Sequence, residues 1–196
     1  MLRFLEGARA ARESVPVGKR VVIVGGGNVS LDAASTAKRL GARDVILIYR
    51  RSEREMKIWK SELEESRRQG VTIRFLARPV EIVGGTSVDG VICRGTALSR
   101  KKDGSGRPVP VDVKGSEFTI AADTVIVAVG QVIASDIAGR LRRGPSGFIA
   151  VDGDFRTSLR GVFAGGDAVS GEGTIVQSVA HGKGAARAMD NYLTRT

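Results

Sequence analysis

The sequence predicts an α/β protein built on a parallel sheet, and three observations predict it. Short apolar runs, "RVVIV" (20–24), "VILIY" (45–49) and "VTIRF" (71–75), alternate with helical stretches, the order that gives parallel strands joined by right-handed crossovers. A glycine triplet, Gly25, Gly26 and Gly27, stands directly between the first run and the first helix. Between residues 75 and 122 the texture changes to alternating runs broken by Gly, Asp and Pro, as in an antiparallel meander inserted into the parallel pattern.

Residues 2–13 are expected to form a short entry helix, and "PVGK" (16–19) a turn into the first strand. Helices are expected over 28–40 and 53–69. Gly41 and Gly70 fall where a helix ends and the next residue turns left-handed. In the second helix Met56, Trp59 and Leu63 would share a stripe. "SRKKDGSGRP" (99–108) is expected to be an exposed hairpin tip with solvated basic residues. "ADTVIVAVGQ" (122–131) restores an apolar strand suited to the interior of a parallel sheet. The expected division is 1–130 and 131–196. The second part offers little apolar material before "GFIAVDG", "RGVFAGGDAV", expected to be a strand running into Gly165, Gly166 and Asp167, and a small-residue helix from about Thr174 to Leu193.

At 196 residues the chain is long enough to bury a core without disulfides. Its one cysteine, Cys93, reads as a small packed residue in a reducing compartment. No redox dithiol, four-cysteine zinc site or iron–sulfur cluster can be built from this chain's own cysteines, and a single histidine, His181, argues against a protein-held metal centre. The start, "MLRFLEGARAARES", carries Glu6 and Glu13 and does not read as a secretory signal. No apolar segment has the length needed to cross a bilayer, so a cytoplasmic location without membrane attachment is expected. Lys plus Arg number 31 against 21 Asp plus Glu, a net charge of +10 that favours polyanions. The charge is scattered and aromatics are only 5%, too few for a base-stacking platform. The expected partners are therefore phosphorylated small ligands and not nucleic acid.

Gly25, Gly27 and Ser30 occupy the three positions of a GxGxxG-type turn. Gly25 is expected to permit a tight turn and Gly27 to let backbone approach a pyrophosphate; a small residue at 30 lets the helix lie close to the sheet. Ser30, Ala34 and Ala37 continue that small face. The helix would aim unpaired N–H groups and its positive dipole end at the phosphates. This is a Rossmann-like dinucleotide unit. At the end of the second strand an Asp or Glu would accept the ribose 2'-hydroxyl of NAD and repel the 2'-phosphate of NADP. Arg50 and Arg51 stand there instead. Two partly exposed charge-assisted bonds would be worth roughly 3 kcal/mol, about a hundredfold preference for NADPH over NADH.

Four blocks in this order, "GGGNVSLDAASTAKRLGA", "YRRSEREM", "GSEFTIAADTVIVAVGQ" and "GVFAGGDAVSGEGTIVQSVAHGKGAA", resemble the NADPH-binding domain and C-terminal flavin segment of the glutamate synthase small subunit family. The likeness covers essentially the whole chain. It implies electron transfer from NADPH to FAD, and onward through iron–sulfur clusters to a partner, with a large glutamate synthase-type subunit among the partners implied. Under it, Gly25, Gly26, Gly27, Asn28 and Val29 face the NADPH pyrophosphate, and Arg50 and Arg51 take the 2'-phosphate. Ala128, Gly130 and Gln131 lie where the nicotinamide half passes. Gly166 and Asp167 meet the ribityl and pyrophosphate region of FAD, and Thr174, Ile175 and Val176 aim a helix N-terminus at the flavin ring.

Hydride transfer between stacked rings requires no side-chain acid or base, so no catalytic side chain is expected. Asp32 and Glu55 match the family pattern but serve equally as capping or ion-pairing residues, and His181 is expected to be structural. The family's cysteine-rich iron–sulfur region and first FAD glycine motif have no counterpart here. The resemblance therefore implies a complete NADPH site, only the far edge of a FAD site, and a missing N-terminal FAD and iron–sulfur region or a separate subunit carrying it. It also leads us to expect uncovered apolar surface around Ile126 and Val162. The competing readings are a non-catalytic NADPH-binding or regulatory module and a nucleic-acid binder driven by charge; the final electron acceptor stays open.

Overall fold

The computed structural model describes residues 4–5, 16–130, 133, 139–171 and 173–194. Of the expected entry helix only Phe4 and Leu5 are described, both helical; the rest of 2–13, like Gln131, lies outside the described residues. The chain clusters into two compact units, Met1–Gly130 and Gln131–Thr196.

In the first unit, strands β1 (Arg20–Gly25), β2 (Asp44–Tyr49), β3 (Val71–Phe75) and β7 (Thr124–Ala128) form a parallel sheet in the order β3-β2-β1-β7. Helix α1 (Asn28–Arg39) joins β1 to β2, and α2 (Lys60–Arg68) leads into β3. Because successive strand residues face opposite sides, an unbroken apolar run fills both faces. Val21 and Ile23 pack with Leu31, Ala34, Ala37 and Leu63 from the helices, while Val22 and Val24 pack with Ala77, Val91, Cys93 and Phe118. The second group belongs to the antiparallel meander, β4 (Ala77–Gly84), β5 (Val88–Lys102) and β6 (Pro108–Ala121), which covers the face opposite the helices. Cys93 is fully buried and its thiol pKa is raised by that burial, as expected of a packed residue.

Gly41 and Gly70 have φ of +94° and +78°, as their places after α1 and α2 require. The expected helix over 53–69 is corrected. One 3-10 turn, Glu53–Glu55, is closed by a reciprocal Ser52–Glu55 capping box; Met56 is extended, and α2 begins only at Lys60. Met56 still packs on the core through this extended link, but Trp59 becomes the residue before the helix and is 74% exposed, so the predicted stripe does not form. The periodicity lost to the local hydrogen bonds of the Ser-x-x-Glu box and to the Tyr49 hydroxyl, which donates to the Glu55 carbonyl at 3.0 Å.

The second unit holds a four-residue helix, α3 (Asp167–Ser170), and the long α4 (Ile175–Thr194). The strand expected within 160–169 is also corrected: Phe163 makes only an isolated antiparallel bridge with Arg156. A strand is defined by its ladder, and among the described residues no further strand flanks this one.

Candidate dinucleotide site

In the strand order β3-β2-β1-β7 the chain runs outward from β1 through β2 to β3 and returns through the meander to β7 on the other side of β1. The crevice at the carboxyl ends of β1 and β7, where the strand order reverses, is the point where open α/β sheets take ligands. Gly25 and Ala128 are register partners at that edge. The three glycines there meet different surroundings. None has a positive φ, so any need for glycine is steric. A Cβ on Gly25 would lie 2.5 Å from the Ala128 carbonyl oxygen, and one on Gly26 would overlap the Tyr49 ring. A Cβ on Gly27 would meet no protein atom within 4 Å. Packing within the chain demands the first two, while the third opens onto free space at the helix entry.

Gly27 is the residue before α1, with extended φ/ψ of −114° and 173° and no side-chain cap. Asn28 and Val29 are exposed in the first turn, which contains no acidic residue, so the positive end of the helix dipole is uncompensated. Ser30 is fully buried and its hydroxyl donates to the Gly27 carbonyl at 2.5 Å; Ala34 and Ala37 are fully buried beneath it. The small face thus seats α1 on the sheet as expected.

The two arginines part company. Arg50 is exposed and its guanidinium has no hydrogen-bond or ion-pair partner among the described residues. Arg51 is only 3% exposed: its Nε donates to the Pro108 carbonyl at 2.9 Å and its Nη2 to Asp103 Oδ2 at 2.6 Å. Arg51 as a ligand of a 2'-phosphate is therefore corrected, because its donors are committed to the tip of the β5–β6 hairpin. That tip was expected to be merely solvated. Asp103 Oδ1 accepts from the Ser105 hydroxyl, the Ser105 amide and the Arg107 amide, and with the Arg51 charge nearby these hold its pKa down to about 2. Arg54, in the 3-10 turn, is another exposed guanidinium in this loop. Sequence reasoning missed Thr96, Asp103 and the Tyr49 ring; the first two lie 46 and 52 residues from their arginine partners, and no local pattern joins them.

Ala128 ends β7 and Gly130 follows with φ +105°. Val127 and Val129 are exposed beside the buried Ile126, and in the second unit Val162 is 39% exposed, so apolar surface is uncovered around both expected centres.

Within the second unit, Gly166 has φ +63° and its amide donates to His181 Nδ1 at 3.1 Å, which makes His181 a structural support of the turn. Asp167 is exposed, and its Oδ1 accepts from the Gly173 amide at 3.2 Å. Thr174 and Gln177 form a reciprocal cap: the Gln177 amide donates to Thr174 Oγ1 at 3.2 Å and the Thr174 amide to Gln177 Oε1 at 2.9 Å. Ile175 and Val176, next in line, are among the most exposed large apolar residues.

The chain is 42% identical over 197 residues to the NADP(+)-dependent formate dehydrogenase subunit beta of Moorella thermoacetica, covering 98% of this chain and 27% of that protein. It is 35% identical to the glutamate synthase [NADPH] small chain of Halomonas elongata, over 90% of this chain and 39% of the relative. It is 36% identical to the NADPH-Fe(3+) oxidoreductase subunit beta of Geobacter sulfurreducens, over 90% and 30% respectively. The chain thus spans between about a quarter and two-fifths of these relatives. Among solved structures, T. acidophilum thioredoxin reductase superposes with a TM-score of 0.71 at 27% identity, over 91% of this chain and 53% of that one. Mycobacterium tuberculosis FprA in complex with NADPH gives 0.71 at 19% identity, over the same shares, a likeness of fold. The glutamate synthase small subunit resemblance carried by the four sequence blocks is found again in these relatives. The family described as pyridine nucleotide-disulphide oxidoreductase matches residues 2–184, and the chain belongs to it.

Proposed function

We propose that this chain is the NADPH-binding part of a flavoprotein oxidoreductase subunit that passes electrons from NADPH to FAD and on to iron–sulfur clusters or a partner subunit. The observation that carries the reading is the conjunction of an open glycine at a helix entry, Gly27, with a guanidinium that has no partner among the described residues, Arg50, at the end of the neighbouring strand. The pyrophosphate fits the uncapped α1 terminus, where Gly25 to Val29 offer backbone without side-chain obstruction. Arg50 takes the 2'-phosphate alone. One charge-assisted pair is worth about 1.5–3 kcal/mol, roughly a ten- to hundredfold preference for NADPH over NADH. Ala128 and Gly130 flank the nicotinamide half.

In the second unit Gly166 and Asp167 approach the ribityl and pyrophosphate region of FAD, and the Thr174-capped start of α4, with Ile175 and Val176, faces the flavin ring. A helix N-terminus suits the negative charge that reduced flavin gathers. The two cofactors, held by these residues, would supply hydride transfer and its division into single electrons. The protein's own part is to bind, orient and bias for phosphate. The exposed apolar residues Val129, Val162, Ile175 and Val176 favour a covering FAD and iron–sulfur region, on a longer chain or a separate subunit. A cytoplasmic location and a large glutamate synthase-type partner belong to the same proposal. So does the absence of nucleic acid and membrane as partners; no described helix is long and apolar enough to span a membrane.

A visible spectrum of the purified chain, followed by titration with NADPH and then NADH, tests the reading. A colourless chain that binds NADPH well above NADH supports an NADPH module whose chemistry needs the covering region. A flavin band bleached by NADPH would mean that this chain completes a FAD site and carries the NADPH-to-FAD step by itself. Equal binding of both dinucleotides, or none, overturns the reading. A regulatory module without catalysis is separated by reconstitution with a candidate partner: no flavin in the assembly favours it.

A further inference from the structure

We propose that the meander is a positioning clamp for cofactor selectivity: Thr96 and Asp103 fix the backbone around Arg50, and so set the preference for a 2'-phosphorylated dinucleotide. The proposal rests on the reading of Arg50 given above. Thr96 and Asp103 are positioning residues, acting through Arg50 and Arg51.

The backbone is held on both sides of Arg50, while its side chain has no partner among the described residues. Before it, Tyr49 is wedged against Gly26 and tied through its hydroxyl to the Glu55 carbonyl. The Arg50 carbonyl accepts from Thr96 Oγ1 at 2.8 Å. The Arg51 carbonyl accepts from the Leu76 amide at 3.1 Å, and the Leu76 carbonyl from the Thr96 amide at 2.7 Å. Arg51 is then locked by Pro108 and Asp103. A long cationic side chain loses less freedom on capturing a phosphate when the backbone beneath it is already ordered.

Two features of the meander are explained by this task. Thr96 is 5% exposed, a buried hydroxyl whose hydrogen bond leads to the arginine loop and not to its own sheet. It follows a register shift between Arg94 and Thr96 in the β5–β6 ladder, the kind of bulge that re-aims a side chain. Asp103 divides its two oxygens: Oδ1 organises the tip through Ser105 and Arg107, and Oδ2 is given to Arg51. The hairpin is long enough to carry its tip back to the end of β2, and the tip is built to grip there.

The test is fluorescence titration of the whole chain with NADPH and with NADH, beside thermal melts. Wild type is expected to prefer NADPH, and Arg50→Ala to bring the two dissociation constants together. Thr96→Val should weaken NADPH about fivefold, the equivalent of one lost hydrogen bond, and leave NADH within about twofold; Thr96→Ser should restore the ratio. Asp103→Asn should lower the ratio in the same direction, and the double variant Arg51→Met with Asp103→Leu should do so without leaving a buried unpaired charge. If Arg50→Ala collapses the preference while the Thr96 and Asp103 variants keep the wild-type ratio, the clamp is overturned and the site reading stands. Parallel loss of both dinucleotides with a lowered melting temperature makes these residues structural only and also overturns it. A wild type that does not discriminate overturns the site reading and the clamp with it.

Discussion

The two units of this chain use similar materials, apolar segments, glycine turns and small-residue helices, with different results. In the first, Val21, Ile23, Val45, Leu47 and Val91 are at most 1% exposed, and both faces of the parallel sheet are covered. In the second, the buried hydrophobic residues described are Ile149, Ala185 and Ala188, and α4 leaves Ile175 85% exposed. An apolar segment becomes core only when other elements flank it. The first unit supplies its own flanks, four laddered strands between helices and a meander. Among its described residues the second has two isolated bridges, Arg143 with Ile149 and Arg156 with Phe163, where ladders would be, so its apolar surface stays uncovered.

The largest effect should separate the units by stability. Leu47→Ala is expected to cost about 2–5 kcal/mol in denaturant melts, because its close-packed surroundings cannot collapse into the cavity. Ile149→Ala should cost only about 1–2 kcal/mol, as its thin surroundings relax. Equal costs would break the comparison. Next in size is binding: Arg50→Ala should weaken NADPH by about 1.5–3 kcal/mol, with NADH little changed, in direct titration. A loss shared by both dinucleotides would move the 2'-phosphate contact elsewhere.

The glycine turn sharpens the comparison between packing and function inside the first unit. Gly25→Ala, driven against the Ala128 carbonyl, should destabilise by about 1–3 kcal/mol. Gly27→Ala has ordinary backbone and open space, so the melt should stay near wild type while dinucleotide binding weakens. A destabilised Gly27→Ala would show that the chain itself needs that glycine. The smallest effect is acid sensitivity of the hairpin tip. Asp103 is depressed from 3.8 to about 2, so its ionised form is preferred in the folded state. Its contribution is full above the unfolded value near 3.8 and fades as pH falls toward about 2. Amide exchange at Ser105 and Arg107 should rise through that window, and Asp103→Asn should abolish the pH dependence.

Much of this was legible in the residues. The order of strands and helices, the left-handed glycines at 41 and 70, the small face of α1 and the meander all follow from local patterning, because each is decided by neighbours a few residues apart. The segment 53–59 was misread because apolar spacing outweighed a Ser-x-x-Glu box whose hydrogen bonds end the turn at once. The strand expected before Gly165 failed for the opposite reason: apolar residues were present, but no ladder.

The sequence by itself determined that a glycine turn would meet a helix beside a strand ending in two arginines, where no carboxylate stands. Only the tertiary structure decided which arginine is available. Arg50 and Arg51 are adjacent and chemically identical, and nothing local distinguishes them. A carboxylate from a hairpin 52 residues away neutralises one of them and leaves the other to the solvent, because burying a guanidinium requires a partner and exposing one does not.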